Sequence, residues 1–193
     1  MKAYKSISTM FYVFITNGFL MAIETPDYKI IKKKMNYEIR EYEPMVIAKT
    51  VVEKPYKEAT SIGFRRIANY IFGGNNKNME ISMTAPVVSI NSSDKEHSVQ
   101  ILFVMPKIHT FLELPEPNLS SVEIERMDLG KVATIKFGGW ATNDRIQIYI
   151  NKLDIWLKNE KILKTGNFMV AQYNSPWALP PFRKNEIWIK IKD

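Results

Sequence analysis

Cysteine is absent from this chain of 193 residues. Without a thiol the protein has no disulfide framework, no catalytic thiolate and no lipidated cysteine anchor. Cysteine-ligated zinc, iron–sulfur clusters and thioether-linked haem are excluded for the same reason. Any metal or cofactor must therefore be held by other side chains or by non-covalent contact.

Histidine and glycine are scarce, which limits the enzyme classes. The two histidines are His97, in a polar stretch, and His109, in a proline-rich connector, so a site built from several histidines is not expected. The 8 glycines form no phosphate-binding or dinucleotide-binding pattern and no Gly-x-Ser-x-Gly elbow. Turn geometry explains Gly73-Gly74 and Gly138-Gly139, which follow a predicted helix and a predicted strand. We therefore predict that the protein is not an enzyme.

Positive charge exceeds negative charge without forming a nucleic-acid signature. The chain carries 27 Lys and Arg against 20 Asp and Glu, a net charge of +7. Lys29 and Lys32-Lys33-Lys34 form a basic run, but the helical segments identified below carry mixed charge and no stacking motif accompanies the run. We interpret the run as a solvated flank and predict no nucleic-acid partner.

The N-terminus is the one stretch with the character of a targeting segment. Lys2 and Lys5 precede an interrupted apolar stretch from Ile7 to Ile23, which is typical of a signal peptide, and Ala22 is a suitable last residue before cleavage. Since the stretch is shorter than the roughly 20 residues that span a bilayer comfortably, we expect export and cleavage. The alternatives are a retained membrane anchor and a first core helix. Residues 1–22 are thus a predicted signal peptide or N-terminal anchor, and we expect no membrane contact for the mature, monomeric protein.

Residues 23–193 are predicted to form one domain with an internal repeat, about 28–105 and 121–191. When the chain is shifted against itself by 85 residues, matching segments align without a gap between them. These are Tyr37-Glu38-Ile39 with Val122-Glu123-Ile124, and Ile47-Ala48 with Val132-Ala133. Each repeat begins with two segments in which apolar and polar residues alternate, separated by a break that lies at Glu43-Pro44 in the first repeat. Each repeat therefore predicts a β-hairpin.

An amphipathic helix is expected after each hairpin. The first opens at Pro55 and ends at Gly73-Gly74, as proline and glycine favour at these two ends. The predicted apolar faces consist of Phe64, Ala68, Ile71 and Phe72 in the first helix, and of Ile146, Tyr149, Ile150, Leu153, Trp156 and Leu157 in the second.

Two further strands complete each repeat. Met83 to Val88 aligns with Phe168 to Tyr173, and Leu102-Phe103-Val104 aligns with Ile187-Trp188-Ile189. The fold class is therefore α+β, with a duplicated β-β-α-β-β unit whose two sheets associate into one curved or barrel-like domain. Such an arrangement leaves a cleft between equivalent elements, and methionine and aromatic side chains could line it as an apolar ligand site.

Six motifs in this order and spacing resemble the SOUL haem-binding protein family. They are Tyr37-Glu38-Ile39-Arg40-Glu41-Tyr42, Tyr70-Ile71-Phe72-Gly73-Gly74-Asn75, Met83-Thr84-Ala85-Pro86-Val87, Phe137-Gly138-Gly139-Trp140-Ala141, Tyr173-Asn174-Ser175-Pro176 and Arg183-Lys184-Asn185-Glu186-Ile187-Trp188. The resemblance covers about residues 24 to 193. It implies a distorted antiparallel β-barrel flanked by two helices, and non-covalent binding of haem b or another tetrapyrrole.

The same resemblance implies a site on the first helix and its adjoining loops. The residues to which it points are Ser61, Phe64, Arg65, Ala68 and Asn69. Arg65 is the expected partner of a haem propionate. Some members of the family have a histidine proposed as an axial iron ligand near the end of the first strand, where this chain has Glu41. Binding is therefore expected to depend on apolar contact and propionate pairing, or on an unexpected Tyr or Met ligand.

These observations predict a tetrapyrrole carrier or buffer without catalytic turnover, and two alternatives remain open. One is a binding domain for an amphipathic cation, as in the related bacterial effector-binding domains of the gyrase-inhibitor type, with Glu186 as the acidic residue that selects positive charge. The other is a protein–protein interaction module whose aromatic groove receives a partner helix or loop.

Overall fold

Nine antiparallel strands form one curled sheet, and two helices pack against it. The computed structural model describes residues 23–91, 97–175 and 178–192. The strands are β1 (Tyr28–Lys34), β2 (Tyr37–Tyr42), β3 (Met45–Glu53), β4 (Val87–Asn91), β5 (Ser98–Val104), β6 (Glu123–Met127), β7 (Gly130–Gly138), β8 (Lys164–Gln172) and β9 (Lys184–Ile191). The helices are α1 (Tyr56–Ile71), α2 (Asn143–Asn159) and a short 3-10 helix, Pro180–Phe182. The predicted α+β class is confirmed as a distorted half-barrel with two flanking helices.

Both helices cover the same face of the sheet. Ile101, Ser89, Val170 and Ile187 lie opposite one another on the neighbouring strands β5, β4, β8 and β9. Ile101 belongs to the core beneath α1, whereas Val170 and Ile187 belong to the core beneath α2. The opposite face of the sheet forms a third core inside the curl, with the buried Trp188 among its members.

The order of strands across the sheet is β1-β2-β7-β9-β8-β4-β5-β3-β6. In this order, β2, β3, β4 and β5 can be replaced by β6, β7, β8 and β9, respectively, and the reverse. Read from the other end of the sheet, the eight strands β2 to β9 then have the same order as before. After the additional strand β1, each half contributes β-β-α-β-β along the chain. This is the arrangement that a repeat predicts, and the duplication itself stays a prediction.

The predicted hairpins are wrong, because the two strands of each pair separate. Strand β2 lies between β1 and β7, and β3 lies between β5 and β6. A two-residue hairpin turn needs residues that accept positive φ, usually Asn or Gly. Glu43-Pro44 cannot supply this turn because proline fixes φ near −65°. The chain therefore continues extended from β2 into β3, and the halves exchange strands.

The predicted apolar face of α1 is shifted around the helix axis. The buried residues of α1 are Ala59, Gly63, Ile67, Tyr70 and Ile71. Of the residues predicted to be core, only Ile71 is fully buried, Phe64 and Ala68 are half-buried, and Phe72 is exposed. The shift follows from Gly63, where a Cβ would lie 2.2 Å from Cγ1 of Ile101, so this side of the helix approaches β5 most closely.

Two other predictions are resolved by the strand and helix bounds. The apolar face of α2 is confirmed, since Ile146, Leu153, Trp156 and Leu157 are buried. The strand expected over Met83 to Val88 is wrong in its first part, because β4 begins at Val87. In the preceding segment Thr84 forms an isolated bridge with Glu24, and its hydroxyl donates a hydrogen bond to the carbonyl of Val104.

The predicted targeting segment, residues 1–22, lies outside the described residues, as do Pro176 and Trp177 of the sequence motifs. Within the part of the chain that the structure describes, neither helix has both the length and the apolar character needed to cross a bilayer.

Candidate functional site

The five predicted site residues share one outward-facing side of α1. Ser61, Arg65 and Asn69 are exposed, and Phe64 and Ala68 are half-buried at the border with the core face. Residues three and four positions apart lie on one helix face, so the helix brings these five side chains together. The assignment of these five residues as the ligand site stays a prediction.

An apolar strip runs along this face of α1. Phe64, Ala68 and Phe72 follow one another at four-residue spacing, and we call these three residues the α1 stripe. Phe72 is 61% exposed although it is a large apolar side chain. From Phe64 to Phe72, eight residue steps along the chain, the stripe extends for about 12 Å, a length comparable with the width of a porphyrin ring. The prediction that Phe72 is a core residue is therefore wrong, because its side chain is part of the protein surface.

The depression beneath the α1 stripe is shallow. It has a volume of about 10 Å³ and is lined by Phe64 and Ala68 together with Val87, Ile101 and Phe103. Ligand cavities that enclose a molecule usually have volumes of roughly 300–1,000 Å³. The expected apolar cleft is therefore not an enclosed pocket at this position. A flat ligand would lie on the surface of the helix, with one side in contact with the stripe.

The polar flank of the α1 stripe consists of Ser61, Arg65 and Asn69. Arg65 is exposed, whereas its neighbour Arg66 is held by the sheet, donating hydrogen bonds from Nη1 to the Thr50 hydroxyl and the Val51 carbonyl. The backbone carbonyl of Asn69 accepts a hydrogen bond from the amide of Gly74 at 2.8 Å. Arg65 is thus the cation on this flank that stands clear of the sheet, and Asn69 also closes the end of the helix.

A larger cavity lies elsewhere, at the end of the sheet where the described chain begins. Its volume is about 250 Å³, and its lining includes Glu24, Met45, Met105, Lys107 and His109. Methionine and histidine are both possible iron ligands. Sequence reasoning missed this cavity because its walls come from four distant segments of the chain. It is the competing location for a ligand, and the experiments below distinguish it from the α1 stripe.

A buried ionic cluster lies on the inner face of the curl. Arg40 of β2 is fully buried between Glu38 of the same strand and Glu186 of β9. Its Nε and Nη2 donate hydrogen bonds to Glu38 Oε2 at 2.8 and 2.6 Å. Its Nη1 and Nη2 donate to the two carboxylate oxygens of Glu186 at 2.8 and 2.9 Å. A fifth bond runs from Nη1 to the Tyr42 hydroxyl at 2.9 Å. All five N–H donors of the guanidinium are therefore used.

Glu186 has further donors within this cluster. The Tyr173 hydroxyl and the Trp188 Nε1–H each donate to Oε2 of Glu186 at 2.7 Å. Burial alone would raise the pKa of the Glu186 carboxyl, but the hydrogen bonds and positive charge of Arg40 outweigh it and lower the pKa. Burial raises the pKa of the Tyr173 hydroxyl, and the adjacent Glu186 charge raises it further. Glu186 is thus an ionised acid whose charge is already paired inside the protein.

This pairing bears on the amphipathic-cation hypothesis. Glu186 was the acidic residue expected to select a positive ligand, and its side chain is fully buried with Arg40 in place as its cation. A ligand cation would have to displace Arg40, and leaving a buried charge without its partner typically costs several kcal/mol. The arrangement favours a structural role for Glu186.

The groups considered as iron ligands are dispersed. Glu41 is exposed on β2, opposite Lys29 of β1 and Lys131 of β7. His97 precedes β5, and His109 lines the larger cavity. Over residues 23–91, 97–175 and 178–192, no group of three or more His, Asp or Glu side chains is placed to hold a metal ion. None of the five predicted site residues of α1 is a usual axial ligand of haem iron.

Comparison with known proteins connects this fold to one family. The model of the SOUL heme-binding protein family matches residues 23–190. Heme-binding protein 2 of Mus musculus is 32% identical over 182 residues, which cover 89% of this chain and 88% of that protein. Heme-binding protein 1 of Xenopus laevis is 29% identical over 184 residues, which cover 90% of this chain and 95% of that protein.

Solved structures share the fold at much lower identity. The C-terminal domain of EcmrR has a TM-score of 0.62 and 11% identity, with 86% of this chain and 98% of that chain covered. A hydrolase from Listeria innocua has a TM-score of 0.58 and 13% identity, with 84% of this chain and 94% of that chain covered. At such identities the likeness concerns the fold alone.

Proposed function

The chain belongs to the SOUL heme-binding protein family, and on that basis we propose that it binds haem b or another tetrapyrrole without a covalent bond. The observation that carries the proposal is the α1 stripe, half-buried at Phe64 and Ala68 and exposed at Phe72, beside the exposed Arg65. Apolar side chains on a protein surface favour contact with a flat apolar ring, and a guanidinium pairs well with a propionate carboxylate. The absence of cysteine is consistent with a ligand that is not attached through thioether bonds.

The open geometry supports a carrier or buffer role. A ring that lies on the α1 stripe keeps one face towards solvent, so less of its surface is buried than in an enclosed pocket. Less burial gives weaker binding and faster release, as a protein that passes its ligand onward requires. We propose that no turnover occurs at this site, because its polar flank consists of Ser61, Arg65 and Asn69. An arginine side chain stays protonated and is a poor general acid or base.

The remaining assignments concern partners and location. We propose a monomer with no nucleic-acid partner, exported after removal of residues 1–22. The support for export is the positive, apolar character of that segment, and N-terminal sequencing of the protein recovered from cells tests it. A mature protein that begins at residue 1 would contradict cleavage.

Titration of the full chain with hemin, followed by absorbance, tests the tetrapyrrole proposal. We expect a shifted Soret band and similar affinity for iron-free protoporphyrin, since the α1 stripe offers no iron ligand. Arg65→Glu is expected to weaken binding of both ligands about tenfold by replacing attraction to the propionates with repulsion. Lys152→Glu, an equal charge reversal at an exposed position of α2, is the matched control and should leave both affinities unchanged.

Two further variants locate the ligand. Ala68→Glu places a charge in the middle of the α1 stripe and should abolish binding of both ligands while leaving the circular dichroism spectrum intact. His109→Ala should have no effect on the Soret band. If His109→Ala removes the band and Ala68→Glu does not, the ligand occupies the larger cavity. If hemin produces no shift with the unchanged protein, the interaction-module alternative replaces the tetrapyrrole proposal.

A further inference from the structure

Lysines from four segments of the chain meet at one end of the molecule. We call this group the lysine patch: Lys32 and Lys34 of β1, Lys158 of α2, Lys161 in the turn after α2, and Lys164 of β8. All five are exposed, with side-chain exposures of 48, 62, 75 and 42% for Lys32, Lys34, Lys158 and Lys164. The sequence shows only part of this group, because its members are up to 132 positions apart in the chain.

Two carboxylates hold the lysine patch together. Lys32 Nζ and Lys34 Nζ lie 2.6 and 3.3 Å from the carboxylate oxygens of Glu160. Lys158 Nζ lies 2.8 Å from Asp154, and Lys164 contacts the same carboxylate. Lys161 directly follows Glu160 in the chain, so the patch contains five lysines and two acids. Three positive charges therefore remain in excess on this surface.

Large apolar side chains are exposed among these lysines. Met35, which follows Lys34, is 85% exposed, and Leu163, which precedes Lys164, is 66% exposed. Ile155 on the outer side of α2 is 58% exposed. Exposed apolar residues surrounded by cations are typical of surfaces that enter the boundary between lipid headgroups and acyl chains.

We propose that the lysine patch docks the mature protein on membranes that carry anionic phospholipids, in place of the expectation from the sequence that it makes no membrane contact. Each lysine near such a surface contributes attraction to the headgroups, and the apolar side chains contribute burial. The patch has lysines and no arginines, which suits diffuse attraction to a charged surface rather than bidentate recognition of single phosphates. The exposed Met35, Ile155 and Leu163 favour lipid over nucleic acid, where stacking aromatic side chains are the usual partners of bases.

A second copy of the chain is a less suitable partner for this surface. Strand β1 is an edge of the sheet, so it could in principle pair with β1 of another molecule. Such pairing would place Lys32 and Lys34 near the same lysines of the copy, and like charges opposite each other are destabilising. The patch thus disfavours self-association and leaves the edge available to an anionic surface.

Vesicle flotation with the full chain tests the proposal. The comparison is between vesicles of phosphatidylcholine alone and vesicles that also contain phosphatidylglycerol. Three excess charges predict a preference of about a hundredfold for the anionic vesicles, which should fall as salt is added. The N-terminal apolar stretch is the same in every sample, but Lys2 and Lys5 beside it are also attracted to anionic vesicles, so variants of the lysine patch are needed to assign the ratio to it.

Charge variants assign this preference to the patch. Lys34→Ala combined with Lys161→Ala should reduce the ratio about 25-fold, because each lysine contributes about a fivefold factor. Lys77→Ala combined with Lys107→Ala removes the same charge from two loops outside the patch and should leave the ratio almost unchanged. The proposal would be overturned if the unchanged protein bound both vesicle types equally. It would also be overturned if the two double variants lost the preference for anionic vesicles to the same extent.

An apolar variant separates lipid from nucleic acid. Met35→Ser combined with Leu163→Ser should weaken binding to anionic vesicles about tenfold while leaving the circular dichroism spectrum unchanged. The proposal is also overturned if this variant binds vesicles as the unchanged protein does and duplex DNA competes for the same lysines, since the surface would then recognise nucleic acid.

Discussion

At the scale of single residues, Arg40 shows how a charge is kept inside the protein. Its five N–H groups meet two carboxylates and a tyrosine hydroxyl, and its guanidinium also lies 4.3 Å from the centre of the Tyr28 ring. Glu38, on its other side, additionally accepts a hydrogen bond from Lys136 at 2.6 Å. A buried charge is tolerated when every donor and acceptor is satisfied, which is the condition met here.

This cluster predicts a loss of stability in acid. Burial alone would raise the pKa of Glu38, but the hydrogen bonds and charges of Lys136 and Arg40 lower it from 4.5 to about 2. A lowered pKa in the folded state stabilises the protein above the unfolded pKa, by about 3 kcal/mol for a shift of this size. That contribution should disappear as the pH falls from 4.5 through 2, as measured by urea denaturation at a series of pH values.

The variant Glu38→Gln serves as the control for this pH dependence. It should lower the free energy of unfolding at pH 7 by about 3 kcal/mol and have little effect at about pH 1, where Glu38 is mostly protonated in the unchanged protein as well. If the two proteins differ by the same amount at both pH values, ionisation of Glu38 is not the source of the acid sensitivity.

At the scale of elements, the side on which α1 packs is set by its smallest residue. Gly63 faces β5, and a Cβ at that position would lie 2.2 Å from Cγ1 and 2.9 Å from Cβ of Ile101. Because this side is closest to the sheet, Phe64, Ala68 and Phe72 are turned away from the centre of the core. The candidate ligand surface therefore depends on a glycine that does not itself contact the ligand.

Replacing Gly63 tests this dependence. Alanine is the better helix former by about 1 kcal/mol, yet Gly63→Ala should lower the free energy of unfolding by about 1–3 kcal/mol because the added methyl group overlaps Ile101. Thermal and urea denaturation measure the change. Gly63→Ala combined with Ile101→Ala should cost less than the sum of the two single changes, since the second substitution removes Cγ1, the nearest of the overlapping atoms. The close approach of Gly63 to Ile101 would be contradicted if the changes in the free energy of unfolding were additive in the double variant, or if Gly63→Ala raised the free energy of unfolding.

At the scale of the whole molecule, exchange of strands makes the two halves interdependent. Strand β7 of the second half has β2 of the first half along one edge and β9 along the other. In the same way β3 pairs with β6. Ile39 of β2 packs in the core beneath α2. Neither half therefore contains all the strands that complete its own part of the sheet.

A fragment of residues 121–192 should consequently fail to fold alone. Without β2 it leaves one edge of β7 unpaired and exposes apolar side chains beneath α2. Circular dichroism should show a mostly unfolded fragment, and addition of residues 23–120 should restore the spectrum of the full chain together with one cooperative urea transition. A cooperative transition in the isolated fragment would show that the halves are independent.

Some features of the fold and of the candidate site could be predicted from the sequence, and others could not. The α+β class, the positions of both helices and the apolar face of α2 followed from periodicity over long segments, which is the strongest local signal. The hairpin predictions were wrong because the alternation of apolar and polar residues identifies a strand but not the strand with which it pairs. The larger cavity and the lysine patch were missed because their members are distant in sequence.

The sequence by itself determined the family, through motifs such as Met83-Thr84-Ala85-Pro86-Val87, and it determined where chain segments are helical or extended. These properties depend on neighbouring residues, so a local pattern is sufficient to specify them. Only the tertiary structure decided which strands pair, that Glu186 is already neutralised by Arg40, and that the apolar surface of α1 is open rather than enclosed. Those outcomes depend on distances between side chains that the chain brings together only when the whole sheet has formed.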